Sequence, residues 1–275
     1  TPPADLIVET VTVSATAQTG GDATVSWRVK NQGTATTTAT HWYDQVYLSA
    51  DATFGGDTWL GTYERVGALN SQENYGRVAT VKLPEDLAAG SYWIFAVTDV
   101  YNHVTEPGEE ANNTTRSLAS VAVTLAPVPD LAVTAVSSPA TVVLGQNATV
   151  SWTVQNNGAA GTSRSWVDRL YLSADGNVSG AFYLGEFTRP NDLAISGSYT
   201  VNKTVVVPNA ADQNYVWVVI TDYTAQVYER DGEGNNQTAS AQVGVRHPDL
   251  VVTAVAHKGF GEVNVSIARL LYGLH

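Results

Sequence analysis

The 275-residue chain has no cysteine and no methionine. The first absence excludes disulfides, thiol nucleophiles and Cys-ligated metals together. The second extends to position 1, so the sequence reads as a processed or excised piece whose signal peptide would already be gone. Basic residues are scarce, 14 Lys+Arg against 26 Asp+Glu, giving a formal net charge of -12. A chain of that sign repels phosphate, which argues against nucleic acid or an anionic membrane surface as a partner. No run of about 18 apolar residues is present, so no helical membrane span is expected. Motifs of nucleophile elbows, phosphate loops, dinucleotide folds and zinc peptidases are missing too. What is present is 44% hydrophobic residues, enough for packed cores, in a length that suits two domains of about 120–130 residues.

The chain repeats itself. Thr24-Val25-Ser26-Trp27-Arg28-Val29, followed by Asn31 and Gly33, returns as Thr149-Val150-Ser151-Trp152-Thr153-Val154 with Asn156 and Gly158. Trp42, Asp44 and Tyr47-Leu48-Ser49-Ala50-Asp51 return as Trp166, Asp168 and Tyr171-Leu172-Ser173-Ala174-Asp175. Thr98-Asp99, Glu106, Glu110 and Asn112-Asn113 return as Thr221-Asp222, Glu229, Glu233 and Asn235-Asn236. A third copy opens at Pro248-Asp249-Leu250 and then loses the pattern, with no Val-Ser-Trp motif between Gly261 and His275. The expected organisation is therefore 1–126, 127–246 and a truncated third repeat at 247–275. One strand cannot bury its own face, so this fragment must dock, swap or stay loose.

Within a copy the hydrophobic period is two. Strands are expected at Leu6–Val13, Thr24–Val29, Tyr43–Leu48, Thr58–Val66, Tyr75–Leu83, Tyr92–Thr98 and Thr115–Leu125, divided by Gly, Asn, Asp and Pro clusters. The only helical candidate is a turn at Glu85–Ala89. Seven short strands without a disulfide point to an all-β chain of two tandem immunoglobulin-like or fibronectin-like sandwiches.

The opening Pro-Asp-Leu, the Thr-Val-Ser-Trp-x-Val-x-Asn-x-Gly segment, the Trp-x-Asp-x-x-Tyr-Leu-Ser-x-Asp segment and the late Val-x-Glu-x-x-Glu-x-Asn-Asn stretch resemble the CARDB family, the cell-adhesion-related domain found in bacteria. The resemblance covers both copies and the start of a third. It departs at Ala4-Asp5, where the first copy lacks the opening proline, and at Ala181, which replaces Asp57. It implies an immunoglobulin-like fold in extracellular or cell-surface proteins and no shared catalytic activity. The expected function is thus a non-catalytic module for surface adhesion, interaction or spacing, its partner a protein or polysaccharide. The alternative is an accessory carbohydrate-binding region of a secreted polysaccharide-degrading enzyme.

Three groups of residues are candidates for chemistry. Asp99, Glu106 and Glu110, with Asp222, Glu229 and Glu233, place oxygen ligands along one loop of each copy, as Ca²⁺ requires. The competing reading has these side chains and the Asn pair bonding nearby backbone amides. Trp59 and Tyr63 are candidates for stacking on a glycan, against the alternative that they pack on the sandwich. His41 and His103 are the one histidine pair that the topology would bring to the same end of a module, and two solvated loop histidines are the competing reading.

Overall fold

The computed structural model describes residues 3–190, 192–257 and 263–270, the last two strands in backbone alone. It divides into two compact units, Thr1–Ala126 and Pro127–His275.

In the first unit a three-stranded sheet pairs β1 (Leu6–Val13), β3 (Asp22–Asn31) and β6 (Asn74–Lys82) in that order. A larger sheet runs β2 (Thr16–Gln18), β9 (Val121–Thr124), β7 (Gly90–Val97), β4 (His41–Ser49) and β5 (Thr58–Val66), with β8 (Thr114–Arg116) also on β7. Alternation puts Ala23, Val25, Trp27 and Val29 of β3 inward, facing Trp42, Val46 and Leu48 of β4. The core lies between these two sheets.

The second unit repeats the plan. Its small sheet holds β10 (Leu131–Ser137), β12 (Asn147–Asn156) and β15 (Ser198–Val206). Its larger sheet holds β11 (Thr141–Val143), β18 (Val243–Arg246), β16 (Gln213–Ile220), β13 (Trp166–Ser173) and β14 (Phe182–Arg189), with β17 (Gln237–Ala239) on β16.

The all-β tandem architecture expected from the pattern is the one that forms. The expected run Thr115–Leu125 is divided in two at Ser117, whose Oγ accepts the Ile94 N–H and donates to the Ala119 carbonyl. Ser240 does the same in the second unit, accepting the Trp217 N–H. The three-residue β2 is too short to show a period in the sequence; it pairs parallel to β9. The Glu85–Ala89 candidate is not helical. Single 3₁₀ turns occur instead at Glu110–Asn112 and Gly232–Asn235.

Where a third repeat was expected to supply one strand, two antiparallel strands form, β19 (Asp249–His257) and β20 (Val263–Leu270). Their register breaks between Val252 and Ala254, as β10 against β12 breaks between Val133 and Ala135 and β1 against β3 between Val8 and Thr10. The stretches 258–262 and 271–275, which fall in that expected repeat, lie outside the described residues.

Candidate functional site

Four sets of side chains carry the polar and aromatic chemistry of the modules. The deepest is centred on Asp44, fully buried on β4 among residues that alternation sends to the core. Its carboxylate accepts the indole N–H of Trp27 at 2.7 Å, the Thr98 hydroxyl at 2.8 Å and the Tyr75 hydroxyl at 2.9 Å. Trp42 donates its indole N–H to Tyr75 at 3.0 Å. The second copy builds the same hub on Asp168, from Trp152, Thr221 and Tyr199, with Trp166 donating to Tyr199. Burial raises both aspartate pKa values, and the bonds from Trp27 or Trp152 oppose it most. In the sequence these aspartates stand out only as repeated letters. The available signal was an Asp at a core-facing position, two residues after a buried Trp, flanked by Val or Leu on the same face.

The duplicated carboxylate loops come next. Asp99, at a positive φ of 45°, accepts the His103 and Val104 N–H groups, each at 2.8 Å. Asp222, at φ 43°, accepts those of Gln226 and Val227. Glu106 is 0% exposed and accepts the Leu6 N–H at 2.9 Å; Glu229 accepts the Leu131 N–H at 3.0 Å. Glu110 accepts the Glu106 N–H, while Glu233 accepts from the Asn236 amide. Asn112 and Asn235 reach back to Asp5 and Asp130. In each module this loop latches the start of the first strand to the end of the domain.

Burial, reinforced by neighbouring carboxylates, pushes Glu106 up to about 7 and Glu229 up to about 8, against the opposing bond from the strand amide. Glu106 Oε2, Glu229 Oε1 and the amide oxygens of Asn113 and Asn236 are buried without a hydrogen-bond partner. Among the described residues no group of three or more His, Asp or Glu side chains is gathered as a metal cage. Asp99, Glu106, Glu110, Asp222 and Glu229 thus bond backbone amides, and Glu233 bonds the side-chain amide of Asn236.

Trp59 and Tyr63 do not make one platform. The register of β4 against β5 breaks between Val46 and Tyr47, and this bulge turns the strand over between the two aromatics. Trp59 faces outward, 58% exposed, its indole N–H on the Thr62 hydroxyl. Tyr63 faces inward, 5.1 Å from the Trp27 ring, with the Arg77 guanidinium 5.2 Å over it. Tyr183 and Phe187 repeat this split, Phe187 packing on Trp152. The residues that accompany Trp59 on the outer face are others: Tyr47, Phe54 and Phe95 pack in series at 5.2 and 5.4 Å. Phe54 sits in a loop, where no period announces it.

His41 opens β4 and His103 lies in the loop after β7, both exposed. Their ring centres are 5.2 Å apart, beside Tyr43 and Tyr101.

A family model, CARDB, matches residues 3–117 and 128–240. Among solved structures, a crystal structure of a Pyrococcus furiosus CARDB domain in complex with di-metal ions is 20% identical, with TM-score 0.35, over 43% of this chain and 90% of that one. A solution structure of the same Pyrococcus furiosus domain is 22% identical, with TM-score 0.33, over 45% and 97%. Red sea bream transglutaminase is 15% identical, with TM-score 0.29, over 87% of this chain and 31% of its own. A search of curated proteins finds no match. With two tandem matches spanning most of its length, the chain belongs to the CARDB family.

Proposed function

We propose that the chain acts outside the cell as an interaction module, and that the outer face of the larger sheet in the first unit meets the partner. The observation that carries this reading is a difference between the copies. Their interiors are duplicated nearly residue for residue, but their outer faces are not. The first presents Phe54, Trp59 and Tyr101 exposed, with Tyr43, Tyr47 and Trp93 half-buried beside them. At the positions of Tyr43 and Trp93 the second copy has Val167 and Val216. Its Tyr183 and Tyr223 share the guanidinium of Arg169, at 5.7 and 3.5 Å from the ring centres. Amphipathic rings bordered by hydroxyl, amide and guanidinium groups suit a surface protein or a polysaccharide.

A polysaccharide is favoured by the exposed indole of Trp59 with Gln45 and Thr62 across the strand pair. The test is a glycan array probed with wild type and Trp59→Ala. A signal that Trp59→Ala abolishes supports the carbohydrate reading. Its absence, with binding to cell-surface protein that the same substitution weakens, supports protein adhesion. Ligand binding insensitive to Trp59→Ala refutes the face.

For Asp99, Glu106, Glu110, Asp222, Glu229 and Glu233 we take the latch as the function. Calcium is the second reading, favoured by the unpartnered oxygens of Glu106 and Glu229. Melting with Ca²⁺ and with chelator separates them, since a bound ion stabilises the folded state and a latch is indifferent to it. We further read 247–275 as the opening of a third module, supported by its Pro-Asp-Leu start and the shared register break.

A further inference from the structure

We propose that His41 and His103 form a two-imidazole site for a divalent transition ion of the zinc type. With metal–nitrogen bonds of about 2.0–2.1 Å and about 1.2 Å from ring nitrogen to ring centre, two imidazoles on one tetrahedral ion hold their centres about 5.2–5.4 Å apart. His41 and His103 stand at 5.2 Å. Both rings are exposed, so an ion reaches them without opening the core.

Their backbones are held independently of any ion. His41 is paired with Val66 at the start of β4. His103 sits in a turn whose shape is set by Asp99, which bonds the amides of His103 and of Val104, and Val104 is fully buried. A site whose backbone is already placed binds without the cost of ordering a loop. Tyr43 packs against both rings and Tyr101 against His103, which limits their swing. The chain's net charge of -12 favours a cation. Imidazole suits zinc, copper and nickel rather than hard ions, so this site is distinct in chemistry from a calcium loop. Two protein donors leave further positions on the ion open, for water or for a donor from a partner. The site does not depend on the nature of the ligand proposed above.

The second copy supplies an internal control. There the same backbone turn, with Asp222 bonding the Gln226 and Val227 amides, presents Gln226 where the first presents His103, and Ser165 stands in place of His41.

The experiment is calorimetric titration of the untagged full chain with Zn²⁺. It compares wild type, His41→Ala, His103→Ala and His247→Ala, with circular dichroism to check each fold. We expect a tightest site of one ion per chain, weakened at least about tenfold by either of the first two substitutions. His247→Ala, which removes a surface histidine paired with Asp212, leaves it unchanged. The combined change Ser165→His and Gln226→His is expected to add a second site of similar affinity. Absence of zinc binding at millimolar concentration, or an unchanged tightest site in His41→Ala or His103→Ala, overturns the proposal. A doubly changed second module that stays empty overturns the geometric argument.

Discussion

Glutamine in place of Glu106 and of Glu229 tests whether the latch carboxyls work protonated or ionised. Each glutamate is buried and bonds a strand amide with one oxygen, leaving the other without a partner. Burial raises Glu106 to about 7 and Glu229 to about 8, from an ordinary value of 4.5. Across the intervening pH range the folded chain holds protons that the unfolded chain has released. Stability from these groups is therefore complete below about pH 4.5 and is lost as pH rises through 7 and 8. At about 1.4 kcal/mol per pH unit the ceiling is roughly 3 kcal/mol for Glu106 and roughly 5 kcal/mol for Glu229. Loops at a module end admit water, which brings the expected effect to about 1–2 kcal/mol each.

Glutamine keeps the oxygen that accepts the strand amide and never ionises. Each variant should therefore match wild type near pH 5 and exceed it by about 1–2 kcal/mol at pH 8.5. The assay is urea unfolding at both pH values, followed by tryptophan fluorescence. Trp27 and Trp42 report on the first module, Trp152, Trp166 and Trp217 on the second. Parallel pH profiles for variant and wild type refute the reasoning. So does a variant that is weaker at pH 8.5 and a wild type that calcium stabilises there, since that pattern requires an ionised carboxylate on a cation.

Three further outcomes follow from geometry. Asp44→Ala leaves the Trp27, Tyr75 and Thr98 donors buried without an acceptor and should cost about 3–5 kcal/mol in denaturant unfolding, with Asp168→Ala equivalent in the second module. Gly158→Ala drives a methyl to 2.5 Å from the Val128 carbonyl oxygen and the Asp130 nitrogen, backbone atoms that cannot step aside, and should lower stability by more than about 2 kcal/mol. Trp59→Ala, on an outer face, should change stability by no more than about 0.5 kcal/mol, so any binding it abolishes is attributable to the ring and not to unfolding.

Much of this architecture was legible as letters. Period two delivered Leu6–Val13 and Thr58–Val66 to the residue, because a strand half in a core must alternate. Duplication separated what the fold needs from what it does not: the repeated Trp27, Trp42, Trp152 and Trp166 are all buried. Properties that depend on a second strand were invisible. The bulge that parts Trp59 from Tyr63 exists only as a register against β4, and no pattern within β5 itself announces it. The same holds for the carboxylate loops. Spacing told that Glu106 and Glu229 recur, but their partners, Leu6 and Leu131, lie about a hundred residues earlier, beyond any local pattern.

That separation bears on how the protein is made. In the first module the Leu6 amide waits for Glu106, Asp5 waits for Asn112, and the Val8 carbonyl waits for Thr115. A nascent chain grown only to the end of β6 can pair β1 with β3 and still lack every one of these closing bonds. At about 5–20 residues per second, the first strand emerges several seconds before its fastenings do. Each module is thus a clasp that shuts from its far end.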